Sequence, residues 1–179
     1  SKMKASELYE NLIKWAEKYD EEFCKILKRN KEYTISVLNI EREQKKPRKD
    51  FSCYSDIKNY TWYMFEEYFK NNTKEYEWQN IKDKTTIKEI LKDYIENYYN
   101  EEDDKDTWFN KMRNLAEKYG YAGSMKEYKA NPEQYKGNIT DIATAIRVGT
   151  TTCSMTPDLY EILRILGKNR IKERIDLIK

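Results

Sequence analysis

Apolar residues recur at steps of three and four along almost the whole chain of 179 residues, and this spacing restricts the fold more than any other feature. Such a spacing lines one side of an α-helix, whereas a half-buried strand needs strict alternation, which no segment shows over several residues. The sequence therefore predicts an all-α fold, a helical bundle or cage of about eight helices. The first predicted long helix carries Leu8, Leu12, Trp15, Tyr19, Phe23 and Ile26.

Capping and stop residues predict where several later helices begin and end. Thr86 with Glu89 three positions on has the spacing of a capping box, and Asp106 is expected to open a further helix that Gly120 ends. The acidic, core-poor stretch Asn100–Lys105 predicts a boundary between two small packed helical subdomains. The predicted subdomains are residues 1–100 and residues 106–179.

A further helix is predicted near the end of the chain. Thr156 can cap its free amides, and Pro157 suits its first turn, where no N–H group is needed. Gly167 suits the left-handed position just past the end of that helix. A last helix is then expected to follow to the end of the chain.

Residues that usually carry chemistry are scarce. Histidine is absent, and the three cysteines lack the close spacing of a zinc or redox motif. Neighbouring carboxylates are interpreted as surface charge, although the fold could bring other carboxylates together. We therefore expect no catalytic residue and no metal ligand. Without a long apolar run or a signal-like start, the chain is expected to be soluble and cytoplasmic.

Charge is spread unevenly, although the formal net charge is only +2. The basic runs suit either a nucleic-acid surface or a solvated face, whereas an acidic run would repel phosphates and is expected to be solvated. The basic residues are Lys45, Lys46, Arg48 and Lys49, and, near the C-terminus, Arg164, Lys168, Arg170, Lys172, Arg174 and Lys179. The acidic run comprises Glu101, Glu102, Asp103, Asp104 and Asp106.

Four motifs in the last third of the chain occur in a recognisable order: Gly137–Ile142, Ile146–Val148, Thr156–Tyr160 and Leu166–Arg170. Together they resemble the C-terminal end of bacterial glutamyl-tRNA synthetases. The pattern of that family is an aspartate, an arginine in an aliphatic helix, Ser/Thr-Pro-x-Leu-Phe/Tyr-Glu and then Leu-Gly-Lys-x-Arg. Upstream segments, among them residues 19–23, 38–43 and 46–50, resemble the clostridial branch, so the resemblance covers the chain from about Lys4 to its end.

The resemblance implies the all-helical anticodon-binding region of a glutamate–tRNA ligase. Its expected partners are glutamate tRNA, glutamine isoacceptors as an open alternative, and the catalytic domain of the full-length enzyme, with no membrane. The histidine motif and the Lys-Met-Ser-Lys-type loop of the family's catalytic half are absent. The chain is thus expected to be an excised C-terminal part without a cofactor, while ATP and Mg²⁺ would bind the missing half of the parent enzyme.

The resemblance also implies which residues read the anticodon: Arg147, Leu159 and Arg48. A guanidinium offers a planar donor fork and a flat face, both of which suit unstacked bases. Each residue has a structural alternative, namely an arginine extending from a half-buried helix at Arg147, core packing at Leu159 and a solvated loop at Arg48. Arg48 favours an enzyme selective for glutamate tRNA. The candidate phosphate contacts are Lys46, Lys49, Lys168 and Arg170, with solvated surface as the alternative for the last two.

The chain departs from the family pattern just after Arg147. Where the family has Arg-Val-Ala-Leu-Thr-Gly, this chain has Arg147–Thr152, so that the glycine of the turn is lost and Gly149 appears early. This departure predicts a reshaped loop beside Arg147.

The alternative function is a helical protein-interaction module that does not bind RNA. In that case, Arg147→Ala would change only stability, or nothing.

Overall fold

The structure, a computed structural model, describes residues 3–43, 51–72 and 75–179. Within these ranges the regular elements are helices, apart from one isolated bridge between Ala122 and Asn138. The all-α prediction is confirmed, with ten α-helices among the described residues. The chain forms two compact units, Ser1–Thr73 and Lys74–Lys179.

The described residues of the first unit form five α-helices and one short 3-10 turn. The helices are α1 (Ala5–Tyr19), α2 (Glu21–Lys28), α3 (Lys31–Leu38), α4 (Tyr54–Thr61) and α5 (Glu66–Asn71), and the 3-10 turn is Trp62–Met64. α1 packs against α2 and α3. The core of this unit is formed by fully buried side chains, among them Leu12, Phe23, Leu27, Ile57, Met64 and Phe69.

The prediction of a single long helix through Ile26 is wrong, because the helix is interrupted at Asp20. The backbone of Asp20 is not helical (φ −154°, ψ 82°), and its Oδ1 accepts a hydrogen bond of 3.1 Å from the N–H of Phe23. An aspartate side chain that bonds a nearby amide in this way competes with helix continuation and starts a new helix instead. Lys58 of α4 fixes the same carboxylate, with Nζ 3.0 Å from Oδ2.

The second unit contains the other five α-helices. These are α6 (Lys84–Asp93), which continues as a π-helical turn (Tyr94–Tyr98), α7 (Lys105–Lys118), α8 (Met125–Ala130), α9 (Ile139–Thr151) and α10 (Leu159–Asp176), with a 3-10 turn at Pro132–Gln134. α9 lies against α6, α7 and α10. Gly149 permits the approach to α6, since a Cβ there would lie 2.6 Å from Cδ1 of Leu91.

Two helices of the second unit begin earlier than the sequence predicts. Asp83, not Thr86, caps α6, and its Oδ2 accepts a hydrogen bond of 3.0 Å from the N–H of Thr86. Asp104 caps α7 by accepting a bond of 2.8 Å from Thr107 N–H, so Asp106 lies inside the helix. In both cases an aspartate accepts from the third following amide, as N-caps commonly do.

The predicted start of α10 is also wrong, whereas the predicted stops are confirmed. Asp158 caps α10, with Oδ2 3.1 Å from the N–H of Glu161, so Thr156 lies before the helix. Gly120 follows α7 with φ 87°. Gly167 (φ 79°, ψ 161°) divides α10 into residues 159–166 and 168–176, as a residue without Cβ allows.

The acidic stretch Asn100–Lys105, where the sequence places a subdomain boundary, lies within the second unit. Glu101 Oε1 accepts a hydrogen bond of 2.5 Å from the amide of Lys168, and the carbonyl of Asp103 accepts one of 2.7 Å from the hydroxyl of Tyr160. The stretch therefore contacts both halves of α10. The two compact units divide instead at residues 73 and 74.

Candidate nucleic-acid interface

The N-terminal end of α9 is fixed by a capping box. Asp141 Oδ2 accepts a hydrogen bond of 3.0 Å from the N–H of Asn138, whose Oδ1 in turn accepts one of 2.9 Å from Thr140 N–H. Asn80 donates from Nδ2 to Asp141 Oδ1 at 2.6 Å. Asp141, the aspartate of the sequence pattern, thus anchors the helix that carries Arg147.

Arg147 joins α9 to the turn that precedes α10. Its Nη1 donates hydrogen bonds to the carbonyl oxygens of Thr156 (3.1 Å) and Pro157 (2.8 Å), and also to the hydroxyl of Thr156. That hydroxyl donates to the carbonyl of Pro157 at 2.9 Å. The side chain of Arg147 is half-buried. The structure therefore brings together the arginine and the Thr-Pro pair of the sequence motifs.

The loop between α9 and α10, residues 152–158, is braced from its other side by Glu77. The N–H of Glu77 donates to the carbonyl of Thr152 at 3.0 Å. Glu77 Oε1 accepts from both the N–H (2.7 Å) and the hydroxyl (3.1 Å) of Ser154. On either side of Glu77, the rings of Tyr76 and Trp78 stack with their centroids 5.2 Å apart. Sequence reasoning missed this brace, because its two parts are far apart along the chain.

Thr152 occupies the place of the family's turn glycine and keeps a left-handed backbone, with φ 73° and ψ −16°. A β-branched residue is strained in that conformation, by roughly 1–3 kcal/mol. The N–H of Thr152 nevertheless closes the end of α9 with a bond of 2.7 Å to the carbonyl of Val148. The lost glycine has thus been replaced by a residue that adopts the same region of backbone space.

Two apolar residues of this region differ sharply in exposure. Leu159 is only 4% exposed, so its side chain belongs to the core of the second unit, as the packing alternative predicts. Met155 is 87% exposed and directly precedes Thr156. In the sequence, Met155 is marked only by being an apolar residue within a polar loop. In this conformation, the apolar side chain that the loop exposes is therefore Met155 and not Leu159.

The remaining predicted contacts are only partly within the described residues. Arg48, Lys46 and Lys49 lie outside them. Lys168 is exposed, and its backbone amide is engaged by Glu101, while Arg170 is half-buried. The base contact of Arg48 and the phosphate contacts of the other four residues stay predictions.

The loop between α9 and α10 also contains a cysteine, Cys153. Burial raises the pKa of the Cys153 thiol, which the hydrogen bond with Thr152 lowers and the nearby Glu77 carboxylate raises again. The thiol is thus kept neutral at pH 7.

No group of three or more metal-binding side chains comes together in the described parts of the chain. In the same ranges no helix is both long and apolar enough to cross a bilayer.

Comparison with known proteins finds relatives over nearly the whole chain. A family model described as "Anticodon binding domain" matches residues 7–178. The "Glutamate--tRNA ligase" of Acetivibrio thermocellus is 39% identical over 175 residues, which cover 98% of this chain and 31% of the relative. The protein of the same name from Clostridium perfringens strain 13 is 38% identical over 97% of this chain and 32% of its own length. That from Sorangium cellulosum is 31% identical, covering 98% and 30%. The chain spans about a third of the length of these relatives.

Proposed function

Because this chain belongs to the anticodon-binding domain family, we propose that it recognises the anticodon of a transfer RNA as the C-terminal part of a glutamate–tRNA ligase. The observation that carries the proposal is the bond of Arg147 to the Thr156–Pro157 turn, which joins two family motifs into one site. The proposed RNA is glutamate tRNA, with glutamine tRNA, as a second substrate of the same site, left as an alternative. The proposed location is the cytoplasm.

The parent reaction, attachment of glutamate to tRNA, is part of the same proposal. It would be carried out in the portion of the relatives that this chain does not span, where ATP and Mg²⁺ would bind. The residues of this chain would then act only on the RNA, by binding it and selecting its anticodon. No step of the ligation is assigned to them.

In this proposal Arg147 reads a base of the anticodon. Anticodon bases are unstacked, and proteins recognise such bases through their hydrogen-bonding edges and by stacking on flat groups. Because Nη1 is already fixed to the turn, the guanidinium loses little further freedom when a base binds. A good contact of this kind contributes on the order of 1–3 kcal/mol.

The other predicted residues have supporting roles. The buried side chain of Leu159 would hold the first turn of α10, and with it the Thr156–Pro157 turn, in place. Arg48 would contact a further base. Phosphate contacts are proposed for Lys46, Lys49, Lys168 and Arg170, and these would add affinity that falls with salt but is indifferent to base sequence.

The test is a binding titration with an anticodon stem-loop that carries the glutamate anticodon, beside a stem-loop with a scrambled loop of equal length. We expect a preference of at least about tenfold for the cognate loop, equivalent to about 1.4 kcal/mol. Arg147→Ala should abolish that preference. The matched control is Arg164→Ala, an exposed arginine of α10, which should affect both RNAs equally.

Circular dichroism of each variant shows whether the helices remain intact. Equal, salt-sensitive binding to both loops would contradict anticodon reading and leave only a basic surface. No binding even at low salt would reject the RNA function and favour the protein-interaction alternative.

A further inference from the structure

Met155 is the most exposed large hydrophobic side chain in the described part of the protein. Its exposed fraction is 87%, and the next in order, Tyr19, reaches 64%. A single exposed apolar residue needs no special explanation on a featureless surface. Met155, however, lies in a loop whose backbone is held on both sides, so its side chain is presented to solvent from a fixed position.

The residues that flank Met155 are each hydrogen-bonded to a different segment of the chain. On one side, the N–H and hydroxyl of Ser154 both donate to Glu77 Oε1. On the other side, the carbonyl of Thr156 accepts from Arg147. The loop also contains the strained Thr152. Strained and over-determined backbone tends to occur where a group must be presented in one orientation.

The family resemblance assigns anticodon reading to Leu159, a role that a leucine side chain would perform by apolar contact with a base. Because Leu159 is 4% exposed, its side chain cannot perform that role without leaving the core. Met155 can perform it, since it is exposed and lies between two residues that are fixed in place. Methionine also suits the task chemically, because its polarisable thioether makes favourable contacts with aromatic faces and adapts to their shape.

We propose that Met155 packs its thioether side chain on the face of an unstacked anticodon-loop base beside the base that Arg147 reads. This proposal rests on the proposed function and divides the work between two residues. A base face is available on every nucleotide, so Met155 would add affinity for any open loop. Arg147, through its donors, would distinguish one base from another.

The division of work can be measured with Met155→Ala. We expect this variant to bind the cognate and the scrambled stem-loop about five- to tenfold more weakly, with an unchanged ratio between them. Met155→Leu should retain most of the affinity, because an apolar side chain of similar size remains. The matched control is Met125→Ala, which removes the side chain of an exposed methionine (39%) from α8 of the same unit and should bind like the wild type.

Oxidation gives a second readout that does not depend on a substitution. Dilute peroxide converts exposed methionine to its polar sulfoxide, and mass spectrometry reports the extent at each position. A saturating cognate stem-loop should slow oxidation of Met155 severalfold and leave that of Met125 unchanged.

The two proposals fail in distinguishable ways. If the wild type prefers the cognate loop, but Met155→Ala binds equally well and RNA does not protect Met155, the inference about Met155 is rejected while anticodon recognition stands. A wild type that binds neither stem-loop rejects both. A loss confined to the cognate RNA would also overturn the proposed role, since Met155 would then be reading base identity.

Discussion

Nη1 of Arg174 donates a hydrogen bond of 2.8 Å to the carbonyl oxygen of Thr150, at the C-terminal end of α9. Arg174 is only 1% exposed, so this bond lies inside the second unit. A cation at the C-terminus of a helix satisfies a carbonyl that lacks an intrahelical partner and opposes the negative end of the helix dipole. The second half of α10 thereby fixes α9 just before the loop that carries the candidate site.

We expect Arg174→Ala to lower the free energy of unfolding by more than about 2 kcal/mol, because it leaves a cavity and an unsatisfied buried carbonyl. Arg174→Met fills most of the cavity and should cost less. Urea denaturation at neutral pH measures both. Lys172→Ala, at an exposed position of the same helix, serves as the control and should stay within about 0.5 kcal/mol of the wild type. Equal effects of Arg174→Ala and Lys172→Ala would contradict a structural role for the buried bond.

Thr152→Gly should stabilise the protein by up to about 1 kcal/mol, because glycine adopts φ 73° without the strain that a β-branched side chain suffers. The loss of a small buried side chain offsets part of this gain. Thr152→Val keeps the branched shape and should give no stabilisation. Thermal denaturation of the two variants compares them directly, and a melting temperature that falls for Thr152→Gly would show that the strain is not relieved.

Asp93 makes stability depend on pH. Its carboxylate accepts hydrogen bonds from three side chains: Lys118 Nζ (2.6 Å), Tyr119 OH (2.8 Å) and Asn97 Nδ2 (2.8 Å). Burial raises the pKa of Asp93, but the bonds from these donors outweigh it and lower the pKa below its ordinary value. The folded state therefore holds the charged form more strongly than the unfolded state, whose aspartate pKa is about 3.9.

The stabilisation by Asp93 is present above that unfolded value and is lost as the pH falls through the lowered pKa of the folded state. We expect Asp93→Asn to cost about 1–3 kcal/mol near pH 7 and progressively less as the pH approaches about 3. Urea denaturation across this range measures the difference. Asp106→Asn, at an exposed position, is the control. A cost that does not depend on pH would mean that the charge of Asp93 contributes nothing.

Glu77→Ala should loosen the loop without unfolding the protein. It removes the acceptor of two bonds from Ser154, worth about 1 kcal/mol in total. Hydrogen exchange of the Ser154 amide should accelerate severalfold. Glu77→Gln keeps an acceptor oxygen and should restore most of the protection, whereas Glu75→Ala should leave the exchange rate unchanged. Unaltered exchange in Glu77→Ala would show that the brace does not hold the loop.

The fold class was predictable because periodicity is a local property, and each helix repeats it. The residues at which the helices begin were harder to predict from the sequence. Asp83 and Thr86 are both good capping residues, and only the geometry shows that Asp83 accepts the hydrogen bond while Thr86 donates it. The break at Asp20 was hidden for a similar reason, since the apolar spacing continues across it.

The candidate site depended more on tertiary structure. Leu159 and Met155 are both apolar, and the sequence does not reveal that one enters the core while the other faces solvent. Arg174 belongs to a basic segment whose charge indicates a surface position, yet it is buried. The contact of Glu77 with Ser154 joins segments separated by 77 positions, which no local pattern reports. The bond between Arg147 and Thr156, by contrast, links two motifs that the family pattern had already identified in the sequence.

The 2.5 Å hydrogen bond from the Lys168 amide to Glu101 affects how RNA would meet this surface. A helix start, such as the one that follows Gly167, is a place where proteins commonly capture phosphate. Here the anion is the carboxylate of Glu101, which occupies the position where a phosphate of a nucleotide backbone would otherwise bind. The helix end is thus neutralised from within, so the proposed phosphate contacts at Lys168 and Arg170 would come from their side chains and not from this backbone amide.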